Sequence, residues 1–219
     1  MLILGWDTAT PATTVALLDT DTGEATAARH DPAAGERPGH THELLPLVER
    51  VRAGRSWTLV DRLAVGAGPG SFTGLRIGLA TARALALARG LPIVCVPTLT
   101  ALIAAVEGEP GFGPELVLPV LDARRGEVFL DVGEGTRAVR VEDVGDAVRT
   151  LPTLPVAVGD GAVRYRAELE QAGARVPEDG SPLHRVQAAW ICRLAAGAPA
   201  TPPGEVLPTY GRAPDARPR

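Results

Sequence analysis

The chain has 219 residues, 45% hydrophobic and 22% charged, which is enough apolar material for one large domain or two small ones and too much for a disordered tail. Its formal charge is −4 and all 22 basic residues are arginine; without lysine or asparagine there is no Walker-type phosphate lysine, no Schiff-base lysine and no N-glycosylation acceptor. Arginines scattered along an acidic chain exclude the basic stripe of an autonomous nucleic-acid binder, so RNA contact is expected only through a partner.

Leu2 to Trp6 is an apolar run ending at Asp7; after a Thr/Pro/Ala turn, Thr14 to Leu18 forms its hairpin partner, and Ala25 to Arg29 is a third strand. His40 to Arg52 reads as a helix, with Leu44, Leu47, Val48 and Val51 on one face and Leu45 off it. A strand at Arg62 to Gly66 leads through Gly68-Pro69-Gly70-Ser71 into a long helix ending near Gly90. Ile93 to Val96 is a buried strand, and a helix from Thr98 to Val106 precedes a Gly/Pro-rich loop, where the boundary between two halves, 1–110 and 111–219, is placed.

The second half repeats the opening: a strand at Leu116 to Leu121, Asp122, a turn, and a strand at Glu127 to Asp131. Asp7 then pairs with Asp122 and Asp19 with Asp131. A strand at Val156 to Val158 and helices at Ala162 to Gln171 and His184 to Ala196 follow, so the fold class is α/β. The two cysteines, Cys95 and Cys192, lie far apart without a CxxC motif, no secretory signal is read, and no apolar run approaches a membrane span, so a reducing, cytoplasmic setting is expected.

The Gly66 to Gly70 turn sits between strand and helix, where backbone N–H groups favour an anion, but it matches neither the dinucleotide fingerprint nor the P-loop. Asp7 and Thr8 form a hydroxyl-rich hairpin bend that could face a phosphate, although both are also ordinary turn residues. His40 and His42 are two apart and cannot chelate from one helix face. The long helix carries Gly74, Ile77, Gly78, Thr81, Leu85 and Ala88 on one side and Phe72, Leu75, Arg76, Leu79, Arg83 and Ala86 on the other. Neither side is solvent-like, so one face is expected on the chain's own sheet and the other on a second protein, or both inside the monomer's core.

Three segments, Leu2-Ile3-Leu4-Gly5-Trp6-Asp7-Thr8-Ala9-Thr10, His40-Thr41-His42-Glu43-Leu44-Leu45-Pro46 and Gly66-Ala67-Gly68-Pro69-Gly70-Ser71-Phe72-Thr73-Gly74-Leu75-Arg76-Ile77-Gly78, resemble the bacterial TsaB (YeaZ) family. Asp122-Ala123-Arg124-Arg125-Gly126-Glu127-Val128 and Pro208-Thr209-Tyr210-Gly211-Arg212 are similar to its second-half motifs.

The resemblance implies a duplicated, two-lobed actin-like (ASKHA, RNase H-like) fold. It also implies a non-catalytic scaffold in the machinery that forms N6-threonylcarbamoyladenosine at position 37 of tRNAs reading ANN codons. The implied partners are the catalytic paralogue TsaD, the TsaE ATPase and a second copy of the chain in isolation, with tRNA met only through the complex and no membrane. No catalytic residue, cofactor or metal is expected.

The family associates through the first two helices, which here places the interface at Leu44, Leu45, Val48, Phe72, Leu75, Arg76, Gly78, Leu79 and Arg83. Asp7, Thr8, Gly68 and Gly70 are candidates for a degenerate phosphate site. The alternative is an actin-like ATPase or kinase using Asp7 and the Gly-rich loop.

Overall fold

The computed structural model describes residues 1–212 except 34, 111, 114 and 134. Strands form where apolar side chains alternate, and each alternation supplies two cores. In β1 (Leu2–Asp7), β2 (Thr13–Asp19) and β4 (Arg62–Gly66), the residues Leu4, Trp6, Val15, Leu17, Leu63 and Val65 enter one core. Ile3, Ala16, Leu18 and Ala64, one position out of phase, enter a second core on the opposite face. With β3 (Ala25–His30) and β5 (Ile93–Val96) these strands make a five-stranded sheet of order β3-β2-β1-β4-β5, antiparallel across β1–β3 and parallel from β1 through β4 to β5.

The second sheet repeats this plan. β6 (Val117–Arg124), β7 (Glu127–Asp131), β8 (Thr136–Arg140) and β9 (Val156–Val158) run in the order β8-β7-β6-β9, with β6 antiparallel to β7 and parallel to β9. Asp7 closes β1 and Asp122 lies near the end of β6, while Asp19 and Asp131 close β2 and β7, so the pairing of strand and aspartate expected from the sequence is present in space.

Helices α1 (His40–Arg52) and α2 (Phe72–Arg89) cover one face of the first sheet, and α4 (Val144–Arg149), α5 (Asp160–Arg164) and α6 (Arg166–Gln171) cover one face of the second. The remaining helices are exchanged. In α3 (Thr98–Glu107), Leu99, Leu102 and Val106 pack with Val117, Leu121 and Phe129 of the second sheet. In α7 (Ala188–Ala196), Ala188, Ile191, Cys192 and Ala195 pack with Ile3, Ala16 and Val94 of the first. A division at residue 110 therefore separates the sheets but not the helices, and the 111–219 half contributes α7 to the lobe built by residues 1–110.

Two helical expectations change. The helix expected over Ala162 to Gln171 breaks at Tyr165, whose φ of −116° and ψ of 37° are not helical, and it begins earlier, at Asp160. The helix expected from His184 begins at Ala188, because His184 is tied elsewhere: Gly159 N donates to its Nδ1 at 3.2 Å and its Nε2 lies 3.1 Å from Pro177 O. Among the described residues no helix is long and apolar enough to cross a membrane.

Candidate functional site

Helix α2 begins and ends as its sequence dictates. The Ser71 hydroxyl accepts from Gly74 N at 3.3 Å as an N-cap, and Gly90 stops the helix with a left-handed φ of 68°. Two side chains of the β1 hairpin hold its inner side: Thr8 Oγ1 donates to Gly74 O at 2.7 Å, and Trp6 Nε1 donates to Gly78 O at 3.1 Å. A Cβ at Gly74 would overlap Thr8 O, and one at Gly78 would overlap Thr8 Oγ1. Gly74 and Gly78 thus serve close approach to the chain's own first hairpin.

The candidate phosphate grip is packed with protein. Asp7 is fully buried; Thr98 Oγ1 donates to its Oδ2 at 2.9 Å and Ala9 N to its Oδ1 at 2.8 Å, while a Cβ at Gly66 would overlap Oδ2. Burial pushes the Asp7 carboxyl above the ordinary range, opposed by the bonds from Ala9 and Thr98. Thr8 is also fully buried, with its hydroxyl spent on Gly74. Gly68 N donates to Thr98 Oγ1 at 3.2 Å and Gly68 O accepts from Thr98 N at 2.8 Å. Gly68 lies against Thr209 O and Gly70 against Ala9 O, to which Ser71 N donates at 2.7 Å. Of the four candidate residues only Gly70 lines open space.

The outer side of α1 and α2 divides the nine interface candidates. Leu44, Val48, Leu75, Gly78 and Leu79 are buried within this chain's own core, so in this conformation they are structural rather than contact residues. Leu45 (52% exposed), Phe72 (53%), Arg76 and Arg83 remain on the surface. Leu87, at 89%, is the most exposed of the large hydrophobic side chains and was missing from the sequence-based set. With Ala80 and Ala84 it completes a surface stripe in which Arg76, Ala80, Arg83 and Leu87 follow the spacing of a helix–helix seam. Its signal was readable: once Leu75 and Leu79 are assigned to the sheet, the 3.6-residue period brings Leu87 onto the face of Arg76 and Arg83.

At one end of the stripe the Arg76 guanidinium lies 3.8 Å from the centroid of the Phe72 ring, and its Nε donates to the Tyr210 hydroxyl at 3.1 Å. Phe72 and Tyr210 stack with centroids 5.1 Å apart. His40 is buried at the start of α1, with Nδ1 2.8 Å from Thr13 Oγ1 and Nε2 unpartnered, whereas His42 is exposed. Burial and the neighbouring His30 hold His40 below its ordinary pKa. Among the described residues no group of three or more His, Cys, Asp or Glu side chains could hold a metal ion.

Residues 34–159 match the family described as "TsaD: tRNA N6-adenosine threonylcarbamoyltransferase". The chain is 37% identical over 196 residues to the tRNA threonylcarbamoyladenosine biosynthesis protein TsaB of Escherichia coli strain K12, covering 84% of this chain and 81% of that one. To the protein of the same name from Haemophilus influenzae it is 39% identical over 132 residues, 59% of this chain and 52% of that one. The solved structure of YeaZ from Pseudomonas aeruginosa superposes with a TM-score of 0.76 at 27% identity, covering 95% of this chain and all of that one. The doubled sheet and these likenesses make the fold actin-like.

Proposed function

The chain belongs to the TsaB (YeaZ) family of tRNA threonylcarbamoyladenosine biosynthesis proteins, and from that membership we propose that it acts in this pathway as a non-catalytic subunit. Its partner in this reading is the TsaD paralogue, docked on the outer face of α1 and α2, and its tRNA substrates are those reading ANN codons. TsaE joins the assembly, and a second copy of the chain occupies the same face in isolation. The observation that carries the proposal is the surface stripe of Leu45, Phe72, Arg76, Arg83 and Leu87 on two helices that pack side by side. Apolar and arginine side chains together are what the centre of a protein interface favours.

The non-catalytic reading is supported by the filled phosphate grip, where Asp7 and Thr8 are spent on internal hydrogen bonds. Leu45→Glu with Leu87→Glu tests the face, because both side chains stand outside the core and should not disturb folding. The expected result is unchanged circular dichroism with loss of TsaD association in sedimentation velocity and loss of threonylcarbamoyladenosine from a reconstituted reaction. Full association by the folded double variant would refute the assignment of the face.

A further inference from the structure

Residues 201–212 run across both lobes. Thr201 N donates to Ile93 O at 2.7 Å and Thr201 Oγ1 accepts from Cys95 N at 2.9 Å, which fixes the segment to the edge of β5. Val206 is buried in the core beneath α1 and α2, and Thr209 N donates to Ala67 O at 2.7 Å. Gly211 then passes between the lobes: a Cβ there would lie 3.0 Å from Pro69 Cβ on one side and 2.9 Å from the Phe129 ring of β7 on the other. Arg212 ends in the second lobe, where it pairs with Glu127 and donates to Ala123 O at 3.3 Å.

Between these anchors Tyr210 meets the outer side of α2, its ring stacked on Phe72 and its hydroxyl accepting from Arg76 Nε. We propose that residues 209–212 are a brace through which the second lobe holds Phe72 and Arg76 in the arrangement that the partner binds. The inference rests on the reading of α1 and α2 as a partner face and adds its regulation: a movement of the second lobe relative to the first changes the affinity of that face.

Three observations carry it. Phe72 and Arg76 are exposed on the first turns of α2, and among the described residues their ring and hydrogen-bonding partners are each other and Tyr210. Ordering such side chains is a cost of association, and the tyrosine removes part of it in advance. Next, Tyr210 is placed by its neighbours. The backbone before it is tied to Ala67, and the backbone after it turns at Gly211 with a φ of 63°, a conformation glycine adopts freely. Last, the far end is held by an ion pair that is partly buried on both sides, at 26% exposure for Arg212 and 30% for Glu127, so solvent screens it less than a surface pair. Without that grip the segment beyond Thr209 is anchored to one lobe only.

Arg212→Ala and Glu127→Ala cut the brace at its second-lobe end, and neither residue lies on the partner face. Each should bind TsaD about fivefold to tenfold more weakly in calorimetric titration, as expected of coupled sites. The double variant should bind no more weakly than the weaker single variant, because both remove the same link. A second readout needs no partner. The chain has three phenylalanines, so labelling with 4-fluorophenylalanine gives three fluorine resonances. The Phe72 line, assigned with Phe72→Leu, should move in Arg212→Ala.

Leu45→Glu with Leu87→Glu separates the two readings. If that variant still binds TsaD, the face is wrong and the fluorine spectrum alone judges the brace. The brace is overturned if Arg212→Ala leaves the Phe72 resonance in place. It is equally overturned if the face variant loses association while Arg212→Ala or Glu127→Ala binds like the parent, or if the two single losses add in the double variant.

Discussion

Replacing Asp160 by asparagine should stabilise the protein above neutral pH and leave it unchanged in acid. Asp160 opens α5 and its Oδ1 accepts from Asp122 N at 3.0 Å. Burial, reinforced by the Asp122 carboxylate and opposed by backbone hydrogen bonds and Arg124, raises its pKa from 3.8 to about 6. A carboxyl whose folded pKa exceeds its unfolded value favours folding when protonated, so its contribution is full below about 4 and is lost as pH rises through about 6. A shift of about two units corresponds to at most about 3 kcal/mol, an upper value because Asp160 is only partly shielded from solvent. Asparagine keeps the acceptor for Asp122 N and cannot ionise. Urea denaturation of both proteins from about pH 4 to pH 8 checks this; with slopes of about 2 to 3 kcal/mol/M, the variant's midpoint should lie higher by roughly 1 M at pH 8 and converge near pH 4. A difference independent of pH, or a less stable variant at pH 8, would refute the reasoning.

Leu75→Ala should cost about 2 to 5 kcal/mol by leaving a cavity under α2, whereas Leu87→Ala should fall within about 0.5 kcal/mol of the parent; chemical denaturation of the two variants measures the contrast. Gly66→Ala, which drives a methyl into Asp7 Oδ2, should lose about 3 kcal/mol or fail to accumulate, and a parent-like melting curve would contradict the packing described for Asp7. Cys192, fully buried and with its thiol pushed up to about 12, should resist a thiol reagent in the folded protein and react once urea unfolds it, as followed by absorbance.

The first sheet and α2 were legible because their signals are local and strong: alternating apolar strands, a serine cap, a glycine stop. The Asp7/Asp122 repetition in the sequence also pointed to duplication. β8 and α4 were not legible. Arg137 and Arg140 interrupt the apolar alternation of β8, and α4 has only six residues, too few for a helical period to emerge. Which residues of α2 turn inward was not legible for a different reason. Glycines that admit a partner helix and glycines that admit the chain's own hairpin look identical in sequence; the hydrogen bonds from Trp6 and Thr8 are what distinguish them.

The exchange of α3 and α7 bears on how the molecule is made. β1 to β5 are complete by Val96, yet the face of that sheet lined by Ile3, Ala16 and Val94 is roofed by a helix that begins at Ala188. During synthesis this apolar surface must stay open while the whole second sheet is translated, and it closes only when α7 emerges from the ribosome. Truncation before α7 would leave a first lobe with one apolar sheet face open and prone to aggregate, even though every one of its strands is present.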